Sequence, residues 1–325
     1  MKIKKEFIIL GIIIGGLLLY ISQRSTDKIT YQLPDIPAVA KKEITTIEVS
    51  KDETPIVLKK KDDKWYFDPQ GYLADSNKVR GMLSGIEQLT LAALVSESKN
   101  YNLYDLDDQN KIQIKAWQGD TLKRDFLVGK TAAGSQHTFV RLANDDRVYQ
   151  AQENLRAKFE HTVDNLRDKT VLAFNSSEIQ EIKVTRDGES MTFIRTQETG
   201  KNSPSKTADT ESAKPPPGIV KTTWQTADGR KVDETRVIRL LSTLSKLKCQ
   251  KYIDDRQKEE LTDPVYAIVL KGTQDYSLSI FAKTGEGNAG YPAVSSGNDY
   301  PFELSKWQAE QLLKVPDEIV EKPSN

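Results

Sequence analysis

The sequence predicts an α+β protein with one N-terminal transmembrane helix followed by two repeated modules of mostly antiparallel strands with two helices each. Three observations predict this fold. Residues 7–21 (FIILGIIIGGLLLYI) are apolar and uncharged, which is typical of a membrane helix. Short apolar alternations bounded by turn residues fill most of the remaining chain and indicate strands. One strand pattern and one helix pattern of the first half return in the second half in the same order, as in a duplicated module.

The apolar run at residues 7–21 predicts an uncleaved signal anchor. Its fifteen residues would rise about 22 Å as a helix. Lys4 and Lys5 can extend the span toward the roughly 30 Å of a hydrocarbon core, because lysine snorkels. Ser22-Gln23-Arg24 does not supply the small residues that cleavage needs, and Ala38-Val39-Ala40 lies too far beyond the apolar run. A cleaved signal peptide is therefore the weaker alternative. The preceding lysines predict a cytoplasmic stub at residues 1–6 and a periplasmic or extracytoplasmic body on the bacterial inner membrane.

Gly11 and Gly15 are candidate helix-packing residues within this run. Their G-x-x-x-G spacing lets two helices approach closely in lipid. The spacing therefore suggests a homodimer formed through this helix, whereas the alternative is that glycine is simply frequent in membrane helices.

The domain limits follow from changes in composition. Residues 22–43 are polar, contain Pro34 and Pro37, and predict a stalk linker. Residues 44–174 are predicted to form the first α+β repeat, residues 175–315 the second, and residues 316–325 a tail.

The repeat is defined by two offsets along the chain. The pattern I-x-x-I-x-V begins at Ile44 and again at Ile179, 135 residues later. Asp75 and Asp233, 158 residues apart, each precede a helix pattern and are predicted N-caps. The difference of 23 matches residues 198–220, a Ser-, Thr-, Lys- and Pro-rich segment predicted to be a disordered loop.

Two further helices are predicted in the body. Residues 155–166 carry an apolar stripe of helical spacing. Ser305 with Gln308 three positions later forms a capping box for the last helix. Trp307, Leu312 and Leu313 are predicted to lie on the buried side of that helix.

Composition excludes several classes of function. Lys and Arg number 47 against 47 Asp and Glu, and this neutral balance argues against nucleic acid as a partner. Cys249 is the lone cysteine, so an intramolecular disulfide and a Cys-based zinc site are impossible. No metal, cofactor or catalytic constellation is predicted.

Three motifs resemble catalytic or ligand sites without completing them. Gly129-Lys130-Thr131 ends like a phosphate-binding loop, but Arg124 stands where that loop needs glycine. The acidic cluster from Asp105 to Asn110 lacks the ligand spacing of a calcium loop. Three short motifs mimic those of serine penicillin-binding enzymes: Ser96-x-x-Lys99, Lys283-Thr284-Gly285 and Ser296-Gly297-Asn298. The last two stand in the reverse of the order that those enzymes have. The first is interpreted as a hairpin bend with Gly129 and Gly134, the second as a solvated turn, and the third as a chance match of short motifs.

The pattern from Leu166-Arg167-Asp168-Lys169 through Ile179-x-x-Ile182-x-Val184 resembles the bacterial domain-of-unknown-function family 4340. The N-terminal apolar run, Trp65 and the run ending in Val148-Tyr149 share this resemblance. The resemblance implies a single-span envelope protein, in a setting similar to auxiliary components of gliding-motility-type ABC transporters. It implies no catalytic residues.

The sequence therefore predicts a non-catalytic, membrane-anchored and protein-binding accessory of an ABC-type transport system in the cell envelope. Its predicted partners are the lipid bilayer and a membrane protein, either an ABC-type permease or an auxiliary subunit. The alternatives are an anchored envelope hydrolase and a structural tether that binds lipid or polysaccharide.

Overall fold

The computed structural model describes residues 13–20, 31–51, 54–134, 136–199, 220–283 and 290–314. The chain divides into two compact units, Met1–Leu166 and Arg167–Asn325. Each unit contains its own hydrophobic core.

The prediction of a transmembrane helix is wrong for the part of the chain that the structure describes. Among the described residues of this run, residues 13–20 are helical, and we call this helix α1. Across the described part of the chain, no helix is both long and apolar enough to cross a membrane. Residues 7–12 and 21 of the predicted span lie outside the described residues.

The first unit is built on an eight-stranded sheet with the order β3-β2-β1-β5-β6-β7-β8-β4. All of its pairings are antiparallel. The strands are β1 (Thr46–Ser50), β2 (Ile56–Lys61), β3 (Lys64–Asp68), β4 (Leu91–Ser96), β5 (Ile112–Gln118), β6 (Thr121–Thr131), β7 (Thr138–Leu142) and β8 (Val148–Ala151).

The second unit repeats this order strand for strand, as β12-β11-β10-β15-β16-β17-β18-β14. A separate antiparallel pair joins β9 to β13. The repeat read from the sequence is thus present in the fold. The strands are β9 (Thr170–Ala173), β10 (Glu181–Arg186), β11 (Glu189–Thr199), β12 (Val220–Thr226), β13 (Lys246–Lys248), β14 (Lys251–Tyr252), β15 (Tyr266–Lys271), β16 (Tyr276–Ile280), β17 (Tyr291–Ser295) and β18 (Phe302–Leu304).

The predicted helix caps are confirmed. Asp75 accepts hydrogen bonds from the N–H groups of Asn77 and Lys78 at the start of α2 (Ser76–Glu87). Asp233 caps α5 (Glu234–Leu244) in the same way, and Ser305 forms the capping box of α6 (Lys306–Leu313). Such side-chain acceptors satisfy the N–H groups that a helix start leaves unpaired.

The prediction of two helices per module fails in the first unit. Residues 155–166 form two short helices, α3 (Leu155–Phe159) and α4 (Val163–Leu166). Thr162 separates them because its side-chain oxygen accepts the N–H of Asn165 at 3.1 Å and starts a new turn.

Trp65 and Trp224 are buried on equivalent edge strands, whereas Trp307, which was also expected to be buried, is exposed. Trp65 on β3 and Trp224 on β12 belong to the two cores. Trp307 is 70% exposed, so the prediction that it is buried is wrong. The buried residues of α6 are Ala309 and Leu312, and a residue two positions before Ala309 does not share its face.

Strand register locates the insertion of the second unit. Lys60 pairs with Trp65 in the first unit, and Arg195 pairs with Trp224 in the second. The offset between equivalent residues is therefore 135 from Lys60 to Arg195 and 159 from Trp65 to Trp224, so it rises between β11 and β12. The hairpin therefore gains 24 residues, one more than the sequence offset indicated. The first hairpin closes through Asp62 and Asp63, both at positive φ. Residues 200–219 of the predicted disordered loop lie outside the described residues.

Candidate functional site

A cavity of about 420 Å³ lies in the first unit, between the segment at residues 35–37 and one end of the sheet. Its volume falls within the range of small-ligand and peptide pockets. Apolar and charged residues share its lining, which consists of Asp35, Ile36, Pro37, Leu89, Leu122, Lys123, Arg124, Asp125, Phe126, Leu142, Ala143, Asn144 and Asp145. We call it the Arg124 cavity.

Arg124 is the buried charge of this cavity. It lies on β6 two residues before Phe126, and since side chains alternate along a strand the two share the core face. The side chain is 7% exposed. Its Nε donates to the carbonyl of Ile86 at 3.3 Å, and its Nη2 donates to the carbonyl of Pro37 at 2.5 Å. The guanidinium thus joins the last turn of α2 to the segment that precedes the first strand.

The hydrogen bonds of Arg124 do not neutralise its charge. Its third bond, from Nη1, also ends on a backbone carbonyl, that of Lys123 at 3.3 Å. Among the described residues, no carboxylate forms an ion pair with this guanidinium. Removal from water lowers the pKa of Arg124 from its ordinary value, because a low-dielectric setting disfavours the charged form. A guanidinium carries five N–H donors, so two of them have no acceptor in the described part of the chain.

Asp145, at the other side of the cavity, is already paired. Its carboxylate accepts from Arg147 Nε at 2.9 Å and Arg147 Nη2 at 2.8 Å, and from the Tyr149 hydroxyl at 2.7 Å. The hydrogen bonds from Arg147 hold the pKa of Asp145 well below its usual range. Burial, followed by the bond to Asp145, raises the pKa of Tyr149 to about 12.

The equivalent place in the second unit is filled by aromatic rings. Ala116 and Leu270 are equivalent, because they pair with the equivalent residues Ile47 and Ile182. Arg124 pairs with Ala116 across β5 and β6, and Tyr276 pairs with Leu270 across the equivalent strands β15 and β16. The Tyr276 ring packs on Phe174 with a centroid distance of 5.0 Å. The repeat therefore builds the same sheet without a guanidinium at this position.

Proline explains why the segment beside Arg124 differs between the units. In the second unit, β9 pairs with β13 through Leu172 and Leu247. The offset of 135 relates Leu172 to Pro37, and the offset of 158 relates Leu247 to Leu89, so Pro37 and Leu89 are the corresponding residues of the first unit. Proline has no N–H to donate to a strand ladder, and residues 32–40 form no strand. Arg124 instead binds the Pro37 carbonyl. Leu33 and Ile36 pack on the first core, so the described end of the predicted stalk belongs to the folded body.

A second charged cluster lies in the second unit around Arg167, which is 4% exposed. Its Nη1 contacts Asp254 Oδ1 at 2.8 Å, and its guanidinium lies 3.5 Å from the Tyr252 ring centroid. Tyr252 in turn donates to the carbonyl of Asp168 at 2.7 Å. A polar cavity of about 360 Å³ adjoins Tyr252 and Asp254. Here the arginine has a carboxylate partner, which the Arg124 cavity does not provide.

The predicted helix-packing pair remains a prediction. Gly15 lies in α1, where an added Cβ would meet nothing within 4 Å. Gly11 lies outside the described residues.

The described residues of the incomplete motifs make contacts within the fold. Gly129, which was expected in a hairpin bend, instead lies within β6, where an added Cβ would fall 2.1 Å from the carbonyl oxygen of Tyr104. In the acidic turn, Asp107 accepts from the side chain of Asn110 at 3.0 Å, and Asp108 pairs with Lys111. No group of three or more metal-ligating side chains occurs within the described part of the chain. Thr284 and Gly285 lie outside the described residues.

Sequence reasoning missed Arg124, Asp35 and Asp145 as site residues. One signal could have revealed the first. Arg124 alternates with Phe126 and Val128, which places a charge on the apolar face of a strand. Asp35 and Asp145 carry no such signal, because both lie in polar connecting segments.

The chain matches the family model described as Domain of unknown function (DUF4340) over residues 65–264, and it belongs to this family. The match begins at Trp65 and includes Arg124, Asp145 and Arg167. No curated protein and no solved structure matches the chain.

Proposed function

We propose that this protein is a non-catalytic binding protein of the bacterial cell envelope, an accessory of an ABC-type transport system. In this proposal, the Arg124 cavity holds a segment of a protein partner. The observation that carries the proposal is the combination of an apolar wall and a buried, unneutralised guanidinium in one open cavity.

The lining of the cavity supports binding of a chain segment. Leu89, Leu122, Phe126 and Leu142 supply apolar surface, and Arg124 supplies polar donors. Pockets that bind ligands combine a mostly apolar wall with a few polar groups that fix orientation. Leu122 is 46% exposed, so apolar surface remains at the mouth for a partner to cover.

The proposed setting rests on the N-terminal sequence and on the family resemblance. Lysines followed by the apolar run at residues 7–21 have the composition of an export signal. The transport role rests on the resemblance alone, which implies a setting similar to that of auxiliary components of ABC-type transporters.

Photo-crosslinking in intact cells tests the proposal. A photoreactive amino acid replaces Leu122 at the cavity mouth, and the matched control replaces Leu103. Leu103 is 55% exposed in the same unit and is not part of the cavity lining. We expect a defined protein adduct at position 122 that is absent at position 103.

The identity of the adduct decides between the parts of the proposal. An ABC-type permease or its auxiliary subunit would support the transport role. A different envelope protein would retain the binding function and overturn the transport role. Equal adducts at both positions, or none at 122, would overturn binding through this cavity.

A further inference from the structure

We propose that the Arg124 cavity selects a ligand that carries a carboxylate next to an apolar group, with the carboxylate bound to Arg124. The inference deepens the proposed function, because it names the chemistry of the group that the cavity takes.

The first argument concerns the donors of Arg124. The side chain is more than nine-tenths buried and lines the cavity. Three of its five N–H groups bind the carbonyls of Ile86, Pro37 and Lys123. A buried charge without a counter-ion is costly, and a carboxylate both neutralises a guanidinium and accepts two parallel N–H bonds.

The second argument comes from the repeat. Tyr276 occupies the position equivalent to Arg124 and packs on Phe174. The same strands are thus built with an aromatic pair, so the fold itself does not require a guanidinium here. The charge is a specific feature of the first unit, and it coincides with the cavity.

The three acidic residues of the lining differ in how freely their carboxylates can act on a ligand. Asp145 is held by Arg147 and Tyr149 and therefore offers little to a cationic ligand. Asp125 accepts from Gln113 Nε2 at 3.0 Å. Asp35 has no ion-pair partner among the described residues, so its charge opposes a carboxylate in the same cavity. Replacing Asp35 with asparagine should therefore tighten binding of an acid.

Apolar side chains define the second half of the ligand. Phe126 and Leu142 pair across β6 and β7, and with Leu89 they form a wall beside Arg124. An aliphatic chain of a few carbons beside the carboxylate would cover this wall. The C-terminal residue of a polypeptide and a short fatty acid share this chemistry.

Titration of the full-length chain with three unbranched six-carbon probes tests the inference. Hexanoate and hexanamide share a pentyl chain and a planar head group and differ in charge, and hexylamine presents a cation on an unbranched six-carbon chain. We expect hexanoate to give a saturable heat signal and a rise in the unfolding temperature, since a ligand that binds the folded state stabilises it. We expect at least tenfold weaker binding of the other two probes. Equal binding of hexanamide, or tighter binding of hexylamine, would overturn the inference.

Variants assign the effect to the guanidinium. Arg124→Gln should weaken hexanoate binding at least tenfold, and Asp35→Asn should strengthen it about threefold. Arg80→Gln, which removes an exposed arginine of α2, is the matched control and should leave binding unchanged. Arg124→Tyr copies the second unit and provides a folded variant without the charge if Arg124→Gln unfolds. Unchanged hexanoate binding in a folded Arg124 variant would contradict the assignment.

Peptide probes separate the two sources of the carboxylate. The tetrapeptide Gly-Ser-Val-Leu with a free C-terminus is compared with its C-terminal amide. Binding of the free acid alone supports a polypeptide C-terminus, whereas binding of hexanoate without the peptide supports a small acid. If hexanoate binds but position 122 yields no protein adduct, the proposed protein partner fails and the carboxylate site stands. If adducts form and all three probes bind alike, the carboxylate site fails and the proposed function stands.

Discussion

Arg124 and Tyr276 occupy the same position in two sheets of identical strand order, one opposite Ala116 and the other opposite Leu270. The second unit fills this place with an aromatic contact to Phe174. The first unit places a guanidinium there beside a cavity of about 420 Å³. The divergence of one duplicated position distinguishes the unit that we propose to bind a partner.

Removing the guanidinium should reduce the stability of the first unit. In Arg124→Leu, the carbonyls of Ile86 and Pro37 lose their donor. Leaving the buried carbonyl of Ile86 unpaired costs about 1–3 kcal/mol. Urea unfolding monitored by tryptophan fluorescence measures the loss. An unchanged midpoint would show that these hydrogen bonds contribute nothing to the fold.

The ion pair of Asp145 should make stability depend on pH. Its folded pKa lies below the ordinary 3.8, so its contribution is complete above about pH 5. The contribution declines as the pH falls below the unfolded value toward the folded pKa. Asp145→Asn should therefore cost about 1–2 kcal/mol at pH 7, allowing for solvent screening at Arg147. The difference in free energy of unfolding between Asp145→Asn and the natural protein should narrow at pH 2.5. A difference that does not change with pH would refute a stabilising role of the Asp145 carboxylate.

The exposed and buried tryptophans should respond oppositely to truncation. Trp65 is 7% exposed and belongs to the first core, whereas Trp307 is 70% exposed. Trp65→Ala should cost about 3–5 kcal/mol. Trp307→Ala should change the free energy of unfolding by less than about 0.5 kcal/mol. Thermal unfolding of both variants measures the contrast, and a large loss in Trp307→Ala would place that ring in an interface.

Gly129 should not tolerate a methyl group. An added Cβ would fall 2.1 Å from the backbone oxygen of Tyr104, so Gly129→Ala must displace backbone and should cost about 1–3 kcal/mol or more. Gly81 in α2 is the matched control, because its Cβ would meet nothing within 4 Å. Gly81→Ala should stabilise by about 0.5–1 kcal/mol. Equal effects in the two variants would argue against the close approach of Tyr104.

The repeat could be predicted because its signals are local. Ile47 and Ile182 alternate with polar residues on equivalent strands, and Asp75 and Asp233 begin equivalent helices.

The candidate site was harder to predict because it depends on pairings distant in sequence. Arg124 lines the cavity next to Pro37, whose carbonyl accepts its hydrogen bond although the two residues are 87 positions apart in the sequence. Asp35 reaches the cavity only because Leu33 and Ile36 pack on the core. The exposure of Trp307 likewise depends on which face of α6 is buried, and a short helix with few apolar residues does not specify that face.

The most direct test of the binding account is a crystal structure of the full-length chain covalently joined to its partner through position 122. The account predicts density for the partner inside the Arg124 cavity, in contact with Arg124 and with the wall formed by Phe126 and Leu142. A partner seated elsewhere on the chain, with this cavity filled only by water, would contradict it.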